Sequence, residues 1–128
     1  MKIALVSVPV PDPVAAHEIY TTRLGFVSKT FEPENQLAIV AAPEDPQGTA
    51  ILLEPCKGNF AEPYQQAAHD ANMPIIVFSA ADPAAELARL ESRGVTLRPD
   101  LNRPEWGIDN VFEDGCGNFV MMEADATD

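Results

Sequence analysis

The chain has 128 residues, 46% of them hydrophobic, with 20 Asp and Glu against 8 Lys and Arg for a net charge of −12. That length carries one domain with a real core, and an acid excess of this size repels nucleic acid and anionic membrane surfaces while favouring a cationic ligand over an anionic one. No apolar run is long enough to span a bilayer, the first residues lack the pattern of a secretory leader, and two cysteines make neither a disulfide framework nor a metal cluster, so the expectation is a cytoplasmic protein.

The stretch "IALVSVPV" from Ile3 reads as a first strand. In "PDPVAAHEIYTTRLGF", Asp12 is placed to accept the free N–H groups of a first helical turn, and Pro13 has no N–H to satisfy there. The spacing predicts a helix from Pro13 to about Leu24 with an apolar stripe of Ala16, Ile19, Tyr20 and Leu24, stopped by Gly25. Strands follow in "FVSKTF", "QLAIVAA" from Gln36 and "TAILLEP" from Thr49, the last two separated by the turn-forming "PEDPQG". Propensity predicts a short helix over Glu62 to Ala71.

"PIIVFSA" from Pro74 opens a second series. "ADPAAELARLESRGVT" repeats the earlier cue, with Asp82 as cap, a helix from Pro83 to about Arg93 burying Ala84, Leu87, Ala88 and Leu90, and Gly94 as stop. "VTLRP", "GIDNVFE" from Gly107 and "NFVMMEA" from Asn118 then read as strands, with "EDGCG" as the final turn. Each half therefore reads β-α-β-β-β, a duplicated unit of about residues 1–60 and 72–125 joined by a short helical linker within a single domain. The fold class is α+β, with eight strands and the helices on the outer face.

Alternation leaves both faces of several strands apolar: Val120 and Met122 oppose Phe119, Met121 and Glu123, and Ile51 and Leu53 oppose Leu52 and Glu54. Ile75 and Val77 oppose Ile76 and Phe78 in the same way. One face must meet the helices, and the other a cavity, another sheet or a partner chain. Glu54 is either a surface acid at a strand end or a carboxylate at the rim of a pocket, and Glu123 admits the same two readings. Cys116, in an acidic turn with no histidine near it in sequence, lacks the base a nucleophilic thiol needs, so "DGCGN" reads as a turn that sets the register of the last strand.

Four pieces together, "VPVPDPVAAHEIYTTRLGF", "AILLEP", the Asp82 to Val95 unit and "DGCGNFVMME", resemble the vicinal oxygen chelate superfamily of glyoxalase I, bleomycin and fosfomycin resistance proteins and extradiol dioxygenases. The resemblance runs from Ile3 to about Ala124. It implies two βαβββ modules forming one eight-stranded mixed sheet cupped around a cavity, commonly in a homodimer. It also implies where metal ligands would stand: Leu5, Glu54, a position near Pro74, and Met121. Three of those four supply no hard donor, and one glutamate does not hold a divalent ion. His17, inside the first helix, and His69, in the linker, do not repair the set. The expectation is no metal and no cofactor.

The function expected is binding of a small, partly apolar molecule without a metal. The proposed wall is Leu5, Leu52, Phe78, Phe119 and Met121, with Glu54 as the polar contact and Trp106 and Tyr64 at the mouth. Two alternatives stand beside it: an isomerase- or epimerase-like enzyme with Glu54 as base, and a catalytically silent dimer whose second sheet face only packs.

Overall fold

The computed structural model describes residues 1–126. The first module runs β1 (Leu5–Val10), α1 (Pro13–Thr22), β2 (Val27–Glu32), β3 (Leu37–Ala41) and β4 (Ala50–Pro55). Helix α2 (Ala61–Asp70) leads to the second: β5 (Pro74–Ala80), α3 (Pro83–Ser92), β6 (Val111–Glu113) and β7 (Phe119–Ala124). Both Asp-Pro caps form: the Asp12 carboxylate accepts from the N–H groups of Val14 and Ala15, and that of Asp82 from Ala85.

The single eight-stranded cup expected from the sequence does not form. Among the described residues there are two separate sheets, of four strands in the order β1-β4-β3-β2 and of three in the order β5-β7-β6. The missing strand is "VTLRP", reduced to one bridge between Leu97 and Phe112 with the flanking bonds Arg98 N to Val111 O and Glu113 N to Thr96 O. Pro99 ends its extension and starts a 3-10 turn, Pro99–Leu101. Its neighbour β6 is short as well, because Gly107 and Asn110 take positive φ and a second turn, Pro104–Trp106, folds Arg103 back onto Ile108.

The sheets stay apart for a local reason. Alternation along β1 turns the backbone groups of Pro9 toward its free edge, away from β4. Proline has no N–H to offer a further strand, and its carbonyl is already taken by Gln65 Nε2 (3.0 Å) and Asn118 Nδ2 (2.8 Å).

One core serves both modules. Val8, Val10, Val40, Ile51 and Leu53 share the helix-side face of the first sheet and pack with Ala16 and Tyr20 of α1. Phe112, Val120 and Met122 of the second sheet join the same cluster. Each fully buried aliphatic side chain there contributes about 1.5–3 kcal/mol. A smaller cluster of Leu101, Ile108, Val111, Phe119 and Met121 lies on the opposite face of the second sheet, under the segment carrying the two 3-10 turns. The stripe expected on α1 is buried, with Ile19 partly so. On α3 only Leu90 is buried and Leu87 half-buried, while Ala84 and Ala88 face outward. The reason lies in what α3 covers: a groove lies beneath much of it.

Candidate functional site

The four positions that the family resemblance marked for metal ligands do not converge. In the parallel β1–β4 pair Leu5 stands beside Ala50, and Glu54 beside Pro9. Leu5 and Glu54 are thus four residues out of step along the strands, roughly 13 Å at about 3.3 Å per residue. In the β5–β7 pair Pro74 stands beside Phe119, and Met121 beside Val77. Among the described residues no three His, Cys, Asp or Glu side chains converge on a point. The donor set at these positions, one carboxylate among leucine, proline and a thioether, does not fit a hard divalent ion.

The other sequence-marked residues separate into three places. Leu5, Leu52 and Glu54 lie on the face of the first sheet away from α1, with Leu5 44% exposed and the other two half-buried. Among the described residues the Glu54 carboxylate makes no hydrogen bond or ion pair. Phe119 and Met121 are buried in the small cluster, where Phe119 stacks on His69 (4.7 Å) and carries the Arg98 guanidinium at 5.2 Å. Trp106, 66% exposed and under Arg103, and Tyr64 on α2 sit at the surface. His17 stacks flat on Phe31 at 3.9 Å and bonds Ser28 Oγ at 2.8 Å. Of the whole set, Phe78 alone lines the main groove.

That groove, of about 1110 Å³, runs between the modules. Val6 and Ile51 reach it from the first sheet, and Ile76, Phe78 and Met122 from the second. Leu24, Gly25 and Phe26 form one lip, with the Phe26 and Phe78 rings 5.2 Å apart and both half-buried. Helix α3 forms the other lip with Ala85, Glu86, Arg89 and Leu90. Arg89 grips Glu86 through Nε (3.0 Å) and Nη2, and Nη2 also reaches Leu24 O at 3.5 Å. The hydrogen bonds it donates to Glu86 raise the Arg89 pKa further, so the guanidinium stays charged. Gly25 has φ +90°, and a Cβ built there would stand 3.3 Å from Arg89 Nη1, so the guanidinium lies close over bare backbone.

At the other end the seam between modules is shut by a buried polar network. Asp114 accepts from Tyr20 Oη (2.7 Å), Cys116 N (2.7 Å), Asn118 N (3.1 Å) and Asn118 Nδ2 (2.9 Å). Gln65 Nε2 donates to Cys116 O (3.0 Å), and its Oε1 accepts from the Cys56 thiol (3.3 Å). Burial raises the Asp114 pKa despite these donors, and burial together with Asp114 raises that of Tyr20. Cys116 is pushed up to about 12, first by burial and then by Asp114 and Asp12, which leaves its thiol inert. The "DGCGN" turn therefore does more than set strand register: it ties the second module to α1, β1 and α2.

The sequence reading missed this network and the Glu86–Arg89 lip. The lip alone was legible, as a departure between the two repeats. Counting from the two Asp-Pro pairs, Glu86 stands where α1 has Ala16, Arg89 where α1 has Ile19, and Leu90 where α1 has Tyr20.

A family model described as the Glyoxalase/Bleomycin resistance protein/Dioxygenase superfamily matches residues 2–122. The uncharacterized protein YurT of Bacillus subtilis (strain 168) is 34% identical over 124 residues, 95% of this chain and 98% of YurT. Among solved structures, TnmS3, an antibiotic binding protein from Streptomyces sp. CB03234, superposes with a TM-score of 0.69 at 25% identity, over 98% of this chain and 97% of TnmS3. UcmS2 gives a TM-score of 0.73 at 22% identity, over 95% of this chain and 96% of its own. Among the described residues no helix is long and apolar enough to cross a membrane.

Proposed function

We propose that this chain, which belongs to the glyoxalase/bleomycin resistance protein/dioxygenase superfamily, binds a small, partly apolar molecule in the groove between its modules and needs no metal to do so. The groove carries the reading: its volume of about 1110 Å³ is at or above the range of ligand sites, and its floor is aliphatic and aromatic with a few polar groups on the lips. TnmS3 supports it as a structural relative described as antibiotic binding. The two modules act in this reading as one domain joined through α2, in the cytoplasm. The half-exposed Leu5, Leu52 and Ile39 face is assigned to a second copy of the chain in a homodimer.

The test uses an uncharged solvatochromic dye, Nile red. Its emission should rise and shift to the blue with the protein and saturate at one dye per chain. Ala85→Trp places a large ring on an exposed helix position that lines the groove, so it should weaken the dye by about tenfold or more while leaving the melt unchanged. Dye binding that ignores Ala85→Trp would put the site elsewhere.

A further inference from the structure

The groove's lips carry a charged pair where the repeated helix of the first module carries apolar side chains. Burial on α1 is served by Ala16 and Ile19, whereas the corresponding Glu86 and Arg89 keep about a third of their surface open. Glu86 engages Arg89 Nε and Nη2, the two nitrogens on one edge of the guanidinium, and so fixes its plane. Nη1 is left over: among the described residues it donates to no acceptor, and it lies against the bare backbone of Gly25. A guanidinium oriented by one partner, with donors unspent at the mouth of an apolar groove, is built to receive something else.

The charges around it choose what that is. Glu44, Asp82, Glu86 and Asp125 line the groove against Arg89 and Arg93, so a full anion meets net repulsion. An ammonium brought to Nη1 meets a like charge. An uncharged oxygen acceptor suffers neither penalty and takes one or both N–H groups. Phe26 and Phe78, which line the same groove, suit a flat aromatic body.

Resting on the groove as the binding site, we propose that Arg89 is its specificity residue, donating from Nη1 to the carbonyl oxygen of an uncharged aromatic ketone or related acceptor laid against Phe26 and Phe78. Glu86 is a positioning residue that holds the guanidinium for it.

The experiment compares three probes of one size by NMR titration, mapping shifts onto the chain: 2-acetylnaphthalene, 2-isopropylnaphthalene, which lacks the acceptor, and the anion 2-naphthoate. The ketone should bind about tenfold tighter than the isopropyl compound, as a hydrogen bond from a charged donor warrants, and naphthoate should bind no better than the ketone. Arg89→Met keeps the length and loses every donor, so the two neutral probes should become equal while still shifting Phe26 and Phe78. Arg89→Lys, which keeps the charge but not the planar fork, should retain only part of the preference and covers the event that Arg89→Met fails to fold. A preference that survives Arg89→Met, or naphthoate as the tightest probe, overturns the role of Arg89 and leaves the groove intact as a site. Shifts that avoid Phe26 and Phe78 for every probe remove the groove reading and this inference with it.

Discussion

Helices α1 and α3 are each capped by an aspartate followed by proline, yet α1 buries Pro13, Ala16 and Tyr20 while α3 buries only Leu90. The caps are alike because they depend on neighbouring residues alone. The packing differs because it depends on what each helix finds beneath it. Helix α1 lies on a four-stranded sheet whose helix-side face is mostly valine, isoleucine and leucine on β1, β3 and β4. Helix α3 lies over three strands and a groove. The two modules share one plan, and the helix of the second packs on fewer of its side chains. The seam differs at its two ends: Tyr20 and Asp114 form a buried lock at one, while at the other the half-open Glu86–Arg89 pair reaches Leu24 O beside the groove.

The largest effect that can break this comparison is at the lock. Asp114→Ala leaves the Tyr20 hydroxyl, the amide of Asn118 and two backbone N–H groups buried without their acceptor. Urea unfolding should show a loss of about 3 kcal/mol or more. A loss below about 1 kcal/mol would mean the seam is held by apolar packing alone.

Next comes a matched pair of truncations. Leu53→Ala, at a wholly buried position under α1, should cost about 3 kcal/mol. Leu87→Ala, half-buried on α3, should cost about 1 kcal/mol, because its site is already partly open. Equal losses would show α3 to be as firmly seated as α1.

The smallest effect sharpens the lock by pH. Burial raises the Asp114 pKa in the folded chain above its unfolded value, so the folded state holds that proton more tightly. The stability this group contributes is therefore full below the unfolded value, roughly 3.9, and is lost as pH rises through the folded value. Asp114→Asn has nothing to titrate there. The stability of wild type minus that of Asp114→Asn should fall as pH rises out of the acid range and then level off. A difference that grows with pH would show the four donors outweighing burial.

Helices α1 and α3 and their ends were legible because aspartate, proline and glycine act within a few residues. Most strands were legible because alternation is local too. The eighth strand was not, since Pro99 and the turns at Gly107 and Asn110 decide it jointly with the loop they shape. Sheet joining was not, since it turns on side chains from α2 and the last turn reaching Pro9. Of the residues marked in the sequence, Phe78 reaches the groove, but beside Met122 and not on the Phe119 and Met121 face with which it was grouped. Arg89 and Glu86 read as the ordinary polar side of a helix, and only the alignment of the two repeats marks them. Gln65 gave still less warning, as one of two adjacent glutamines on α2 whose meaning comes from partners in β1 and in the last turn.

The plug at Pro9 also bears on how the protein behaves when crowded. A strand rich in valine with a bare edge is a template on which other chains add strand after strand, and such growth ends in fibres. β1, "LVSVPV", has that composition. Its proline withholds a donor at that end, and the amides of Gln65 and Asn118 occupy the acceptor, so an incoming strand finds no partner there. The contacts that fasten the second module to the first thus also act as a guard against self-assembly, and loosening the seam would unfasten both at once.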